Sequence, residues 1–196
     1  MLSDAEILEE MKRGNIVIEP FREEQLNPNS YDVRLGEYYA VEFPYSQVLD
    51  PYNKYLVEKH WKIRRATDRI IIRPGETILA HTQEVIGGRG NIASKMNARS
   101  SLGRLGISVC KCAGFGDVGF INKWTMEITN HLPSTSVVLY VGMRVAQISF
   151  FRTGIVLHEY KGKYGQEEWK PEDMLPKMWK DYELHDDKYK GLIRRD

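Results

Sequence analysis

Apolar and polar positions alternate in short runs along most of the chain, and only the first dozen residues carry a helical period. Ser3 can cap a helix, Glu6 can complete a capping box with it, and Ile7, Leu8 and Met11 form one apolar stripe. Gly14 stands where a left-handed cap would end that helix. Positions 16–18 predict a short strand closed by Pro20, and Asn27-Pro28-Asn29-Ser30 predicts a turn. Tyr31, Val33 and Leu35 alternate with polar residues, which predicts a strand ending at Gly36. Positions 46–68 mix aromatic and charged residues without a period and predict a loop-rich insertion with one or two strands. Further strands are predicted at 69–72, 77–82, 92–96, 107–112, 124–129, 137–140 and 145–151, with Pro74-Gly75 and Gly87-Gly88-Arg89-Gly90 as loops between them. Many short strands at this spacing predict an all-β sandwich or barrel-like roll behind a short N-terminal helix, not a parallel α/β sheet. Residues 161–196 become charged and aromatic with no apolar period, as expected of an arm ordered against a ligand or a neighbouring subunit.

Composition narrows the classes. The 196 residues suit one domain with some surplus, and 42% hydrophobic against 28% charged residues is enough to bury a core. Basic and acidic residues nearly cancel, 28 against 27, so no field is expected that would hold long nucleic acid through its phosphates. The longest apolar runs, 137–141 and 145–151, are too short to cross a bilayer, and no basic-plus-apolar leader occupies 1–10. No membrane partner and no cleaved secretion signal are expected. Cys110 and Cys112 lie one residue apart on a predicted strand, would point to opposite faces, and could not easily bridge. No CxxC pair and no HxE…PCxxC pattern occurs, which excludes the zinc-deaminase motif and argues against a structural zinc site. A reduced, cytoplasmic protein without zinc is the expectation.

Three segments carry candidate chemistry. In Arg99-Ser100-Ser101-Leu102-Gly103-Arg104-Leu105-Gly106, two arginines flank two hydroxyls and two glycines. Guanidinium forks suit phosphate oxygens and glycine permits close approach, but a polar turn opening a short helix would read the same way. Ala113-Gly114-Phe115-Gly116-Asp117-Val118-Gly119-Phe120 is either a hairpin loop with Asp117 as a turn residue, or a loop lying against a flat ligand with Asp117 accepting from a sugar hydroxyl. In Trp124-Thr125-Met126-Glu127-Ile128-Thr129-Asn130, Glu127 shares a strand face with Thr125 and Thr129. Exposed, it is a solvated strand residue; partly buried, it is a candidate general base.

Together, in this order and spacing, the three segments resemble the dCTP deaminase branch of the dUTPase superfamily. The resemblance extends to the opening Met1-Leu2-Ser3-Asp4, to Asn29-Ser30-Tyr31-Asp32-Val33-Arg34-Leu35-Gly36, to Gly142-Met143-Arg144-Val145-Ala146-Gln147 and to Lys163-Tyr164-Gly165-Gln166. It implies a mainly β, dUTPase-like β-clip or distorted jelly roll assembled as a homotrimer. Residues 1–160 would form the domain, and 161–196 an arm closing over the nucleotide or packing on a neighbour.

The resemblance further implies hydrolytic loss of the 4-amino group of dCTP, with Glu127 as general base, Ser100 and the backbone of Ala113 holding water and amine, and Arg104 orienting Glu127. Arg99 and Ser101, with Leu102 and Gly103 between them and Arg104, would contact phosphates. Asp117 would meet the 3′-hydroxyl, the backbone of Thr125 and Met126 would read the base edge, and Phe115 or Phe120 would wall off ribonucleotides. Gly114-Phe115 and Gln147 resemble members that also cleave between the α- and β-phosphates and release dUMP. Mg²⁺ carried by the triphosphate is the implied helper, dCTP and dUTP the substrates, and dTTP an inhibitor. Two departures stand out. Gly116 replaces a usual isoleucine, and the Lys-Tyr-Gly-Gln tail is one residue short, which bears on Tyr160, Lys163 and Gln166. A dUTP-releasing deaminase is the nearest alternative, followed by a dUTP diphosphatase and then a non-catalytic nucleotide sensor.

Overall fold

The computed structural model describes residues 1–43, 48–165 and 168–181. Helix α1 (Asp4–Lys12) opens on the capping box: Glu6 N–H donates to the Ser3 hydroxyl at 3.3 Å, and the Glu6 carboxylate accepts from Ser3 N–H at 2.9 Å. Strands β1 (Ile16–Glu19), β2 (Leu26–Asn27) and β3 (Ser30–Glu42) follow, then helix α2 (Lys54–His60), β4 (Trp61–Arg65), β5 (Arg69–Ile72), β6 (Thr77–Gly88) and β7 (Ile92–Ala98). Helix α3 (Ser100–Arg104) leads to β8 (Ile107–Ser108), β9 (Phe115–Gly116), β10 (Ile121–Asn130), β11 (Val137–Tyr140) and β12 (Arg144–Arg152). Ten strands join one curled antiparallel sheet whose path runs β8-β10-β6-β3-β12-β7-β9; β1 pairs with β6, and β2 and β4 pair with β3. β5 and β11 form a separate two-stranded ribbon. The curl encloses one core built on Tyr31, Ile78, Ile86, Met96, Met126 and Phe150, each fully buried.

The departures from the sequence reading have local causes. β3 does not end at Gly36. It continues to Glu42, because the missing side chain lets the strand pass across the His81 ring, where a Cβ would lie 2.1 Å from a ring carbon. β3 is also buried on both faces. Asp32 and Arg34 are buried between the fully buried Tyr31, Val33 and Leu35, and each is held by an ion pair. Gly87 and Gly88 are strand rather than loop, since a Cβ at Gly87 would strike the Phe120 carbonyl at 1.9 Å where β10 approaches. The 46–68 insertion contains a helix the period does not show. Asn53 caps α2 by accepting from Leu56 N–H at 3.2 Å, and Val57 is the residue that α2 buries. The predicted strand at 107–112 stops at Ser108. Cys110 and Lys111 turn the chain with φ of 73° and 34°, so the two thiols sit on a tight turn, Cys110 buried and Cys112 exposed, both free.

Part of the C-terminal segment packs on the chain's own sheet. Met174 and Leu175 are buried against Ala40 and Leu79, and the Trp169 ring lies 4.3 Å from that of His81.

Candidate active site

A cleft of about 720 Å³ opens between β10, the 110–120 loop, the end of the insertion and the C-terminal segment. Strand register decides what enters it. On β10, Met126 and Ile128 point into the core with no exposure, so Thr125 and Glu127 point the other way, into the cleft. The alternation runs unbroken along β10 from Asn122 to Ile128, although its pairing with β6 shifts between Lys123 and Thr125.

Glu127 is half-buried, and its Oε2 has no hydrogen-bond partner. Loss of hydration raises its pKa above the ordinary 4.5; its own backbone N–H and the charge of Lys111 oppose the shift without cancelling it. Nearby, burial and the Glu127 charge push the Cys110 thiol up to about 12, so it stays protonated and inert. Among the described residues, three buried side-chain polar atoms lack a partner: Glu127 Oε2 and the indole nitrogens of Trp61 and Trp169. All three residues line this cleft.

His81 packs behind the Trp169 ring, and His60, which lines the cleft, faces Glu42 at 3.2 Å. Burial lowers the His81 pKa to about 4, and both of its ring nitrogens are engaged: Nδ1–H donates to the Thr82 carbonyl at 2.8 Å and Nε2 accepts from Tyr38 N–H at 3.2 Å. It is a neutral packing residue.

The expected site residues divide into two groups. Glu127, Thr125, Ala113, Phe115, Asp117, Phe120 and Tyr160 all line the cleft. Asp117 and Phe115 are exposed at its rim, while Phe120 packs edge-on between Trp124 and Tyr160 at 5.3 and 5.6 Å. The Met126 side chain lies in the core. Gly114 is fixed by packing, since a Cβ would meet the Met96 carbonyl at 2.3 Å and its own carbonyl accepts from Met96 N–H at 2.7 Å. At Gly116 the space a side chain would use is occupied by the Trp124 ring and the Ser94 hydroxyl, each 2.5 Å from a built Cβ. That accounts for the glycine.

The second group lies apart from the cleft of its own chain. α3 buries Leu102 and exposes Ser100, Ser101, Gly103 and Arg104. Arg104 exerts no resolved influence on Glu127. Arg99 leans on Asp32 at 3.2 Å, and Gln147 on β12 donates to the Ser30 hydroxyl at 3.4 Å. Lys163 is paired with Asp181 at 2.8 Å, and Gln166 lies outside the described residues. Sequence reasoning missed Lys111, Lys123, Trp61 and Trp169 as lining residues. The insertion and the tail bring the two tryptophans there, and neither segment carries a period that would place it.

The curled antiparallel sheet of this mainly β chain has a counterpart among solved structures. Its fold is similar to that of a 2′-deoxycytidine 5′-triphosphate deaminase from Agrobacterium tumefaciens, with a TM-score of 0.58 at 20% identity, over 76% of this chain and 45% of that one. The match thus spans less than half of that longer chain. The dCTP deaminase-like family model matches residues 1–153, and the chain belongs to that family. A relative from Methanosphaerula palustris named "dCTP deaminase, dUMP-forming" is 35% identical over 153 residues, 78% of this chain and 81% of the relative. One of the same name from Streptomyces coelicolor is 34% identical over 171 residues, 84% of this chain and 87% of the relative. No helix among the described residues is long and apolar enough to cross a membrane.

Proposed function

We propose that the protein hydrolyses dCTP in two steps, to dUTP and ammonia and then to dUMP and diphosphate. The observation that carries the reading is Glu127: a carboxylate with an unpartnered oxygen, desolvated so that it holds a proton more tightly than a free glutamate, in a cleft of nucleotide size. In the first step Glu127 takes a proton from a water whose oxygen adds to C4 of the cytosine ring. It then returns that proton toward the ring nitrogen and the amine, and the C4–N bond breaks with loss of ammonia. Thr125 and Met126 offer backbone groups to the base edge, Ala113 a backbone group to water and amine, and Asp117 a carboxylate to the 3′-hydroxyl. In the second step a water adds to the α-phosphorus and diphosphate leaves. The Mg²⁺ belongs to the substrate and arrives on the triphosphate. Among the described residues no group of three or more His, Cys, Asp or Glu side chains is arranged as a resident metal site.

Ser100, Ser101 and Arg104 act from a neighbouring copy in a homotrimer. The exposed polar face of α3 has no role in its own chain's cleft, and Glu127 has Lys111 as its one charged neighbour of resolved effect there. A second copy therefore supplies the positive charge that a developing oxyanion and the phosphates need. The dUMP-forming outcome is favoured by Gly114-Phe115, by Gln147 and by the names of the relatives. Anion-exchange analysis of dCTP with Mg²⁺ tests the whole reading. dUMP with equimolar diphosphate is expected; dUTP accumulating one-for-one with ammonia would remove the second step, and unchanged dCTP would remove both.

A further inference from the structure

We propose that Arg144 is a second guanidinium ligand of the triphosphate and that Asp32 is the positioning residue holding it beside Arg99; this deepens, and rests on, the reading that Arg99 contacts phosphate. Asp32 lies on the central strand β3 with 1% of its side chain exposed, and three donors converge on its carboxylate. Asn27 Nδ2 donates to Oδ1 at 3.0 Å, Arg144 Nη1 donates to Oδ2 at 3.3 Å, and Arg99 Nε stands 3.2 Å from the same Oδ2.

Sheet register produces this convergence. Asp32 pairs with Gln147 on β12, Arg144 pairs with Arg34, and Ala98, the residue before Arg99, pairs with Ala146. The side chains meet although they come from positions more than sixty residues apart in two cases.

One arginine neutralises one buried carboxylate. Arg34 shows the balanced case in the same sheet: its Nε lies 2.6 Å from fully buried Glu84, which also accepts from Arg34 N–H and from Gln25. Asp32 instead carries two guanidinium groups on one oxygen, which leaves a surplus positive charge. That surplus sits on side chains 30% and 42% exposed, within reach of solvent. Arg144 uses only Nη1, for Asp32 and for the Glu24 carbonyl at 3.2 Å, so its Nε and Nη2 are uncommitted among the described residues. Arg99 makes no other polar contact there through its guanidinium. Two forks held side by side by a shared rigid anchor are suited to consecutive phosphates of a chain, and one phosphate alone cannot engage both as well. The ligand chemistry is therefore a polyphosphate, here the substrate's own.

The test compares Arg144→Gln, Arg144→Lys, Asp32→Asn and Arg99→Gln in steady-state deamination and in calorimetric binding of dUTP and dUMP. Losing one charge-assisted contact should raise KM for dCTP and Kd for dUTP about tenfold or more in Arg144→Gln, with kcat within about threefold. Binding of dUMP should be unchanged. Arg144→Lys should recover part of the loss, because charge without the fork remains. Asp32→Asn should weaken triphosphate binding while sparing dUMP, a selectivity that mere destabilisation would not give. If Arg99→Gln weakens dUTP binding and folded Arg144→Gln or Arg144→Lys binds it as the parent does, the Arg144 proposal is overturned. If Arg99→Gln itself has no effect, the underlying phosphate reading fails first. Equal losses for dUTP and dUMP in Asp32→Asn would reduce Asp32 to a structural residue.

Discussion

Replacing Glu127 by glutamine should abolish deamination and, at neutral pH, make the protein more stable. Activity falls because the amide cannot accept the water's proton, and such catalysis is worth roughly two to four orders of magnitude. The stability gain follows from the site's electrostatics. Burial raises the Glu127 pKa above 4.5 despite the opposing charge of Lys111, so the folded state binds that proton more tightly than the unfolded chain does. A group of this sign contributes fully below the unfolded pKa, and its contribution is lost as pH rises through the folded one. At about pH 8 a folded chain whose Glu127 no neighbouring guanidinium reaches therefore bears the cost of an ionised, poorly hydrated carboxylate, and glutamine removes it. The isosteric amide disturbs little packing, because Oε2 has no partner to lose. Urea denaturation of both proteins at about pH 8 and about pH 4 should show the variant ahead at the higher pH and the lead gone at the lower. Ammonia release gives the turnover, and calorimetry checks that dCTP still binds. More than about a tenth of parental turnover would refute the general-base role. A variant less stable at the higher pH would refute the desolvation argument.

Removing the Lys111 charge in Lys111→Met should raise the Glu127 pKa further, moving the acid limb of the kcat profile to higher pH; an unmoved limb would show that the charge is not felt. Glu84→Ala should destabilise the fold by about 3–5 kcal/mol in urea denaturation, since it leaves Arg34 buried and uncompensated. Gly116→Ile should cost about 1–3 kcal/mol and blue- or red-shift the Trp124 fluorescence, because Trp124 and Ser94 already occupy that space. Mixing inactive Glu127→Gln with inactive Arg104→Gln protein should restore part of the activity if each site draws on two chains, and light scattering should report a trimer; an active monomer would rule this out.

Much of the sheet was legible because β10 and β12 keep a period of two that also matches their burial. The face of Glu127 followed from that period alone, with Met126 and Ile128 inward. β3 misled at Gly36 because the reason for that glycine lies forty-five positions away in the His81 ring. Alternation along β3 did not reveal that its polar residues are buried too: Asp32 and Arg34 are enclosed by partners that sequence separation conceals. Helix α2 has too few turns and too little buried surface to produce a stripe. The Cys110–Lys111 turn was read as strand because both residues flank apolar neighbours, and nothing local announces a non-glycine φ above zero. The candidate cleft was legible where β10 and the 113–120 loop carry it. Its Trp61 and Trp169 walls come from aperiodic segments whose position is set by tertiary packing on Ala40, Leu79 and His81.

The most direct measurement is hydrolysis of dCTP in water enriched in heavy oxygen, with mass spectrometry of the nucleotide product. The account requires two water-derived oxygens on each dUMP, one at C4 of the base and one on the α-phosphate, with diphosphate unlabelled. A product that is dUTP carrying a single label on the base, with no diphosphate formed, would contradict it.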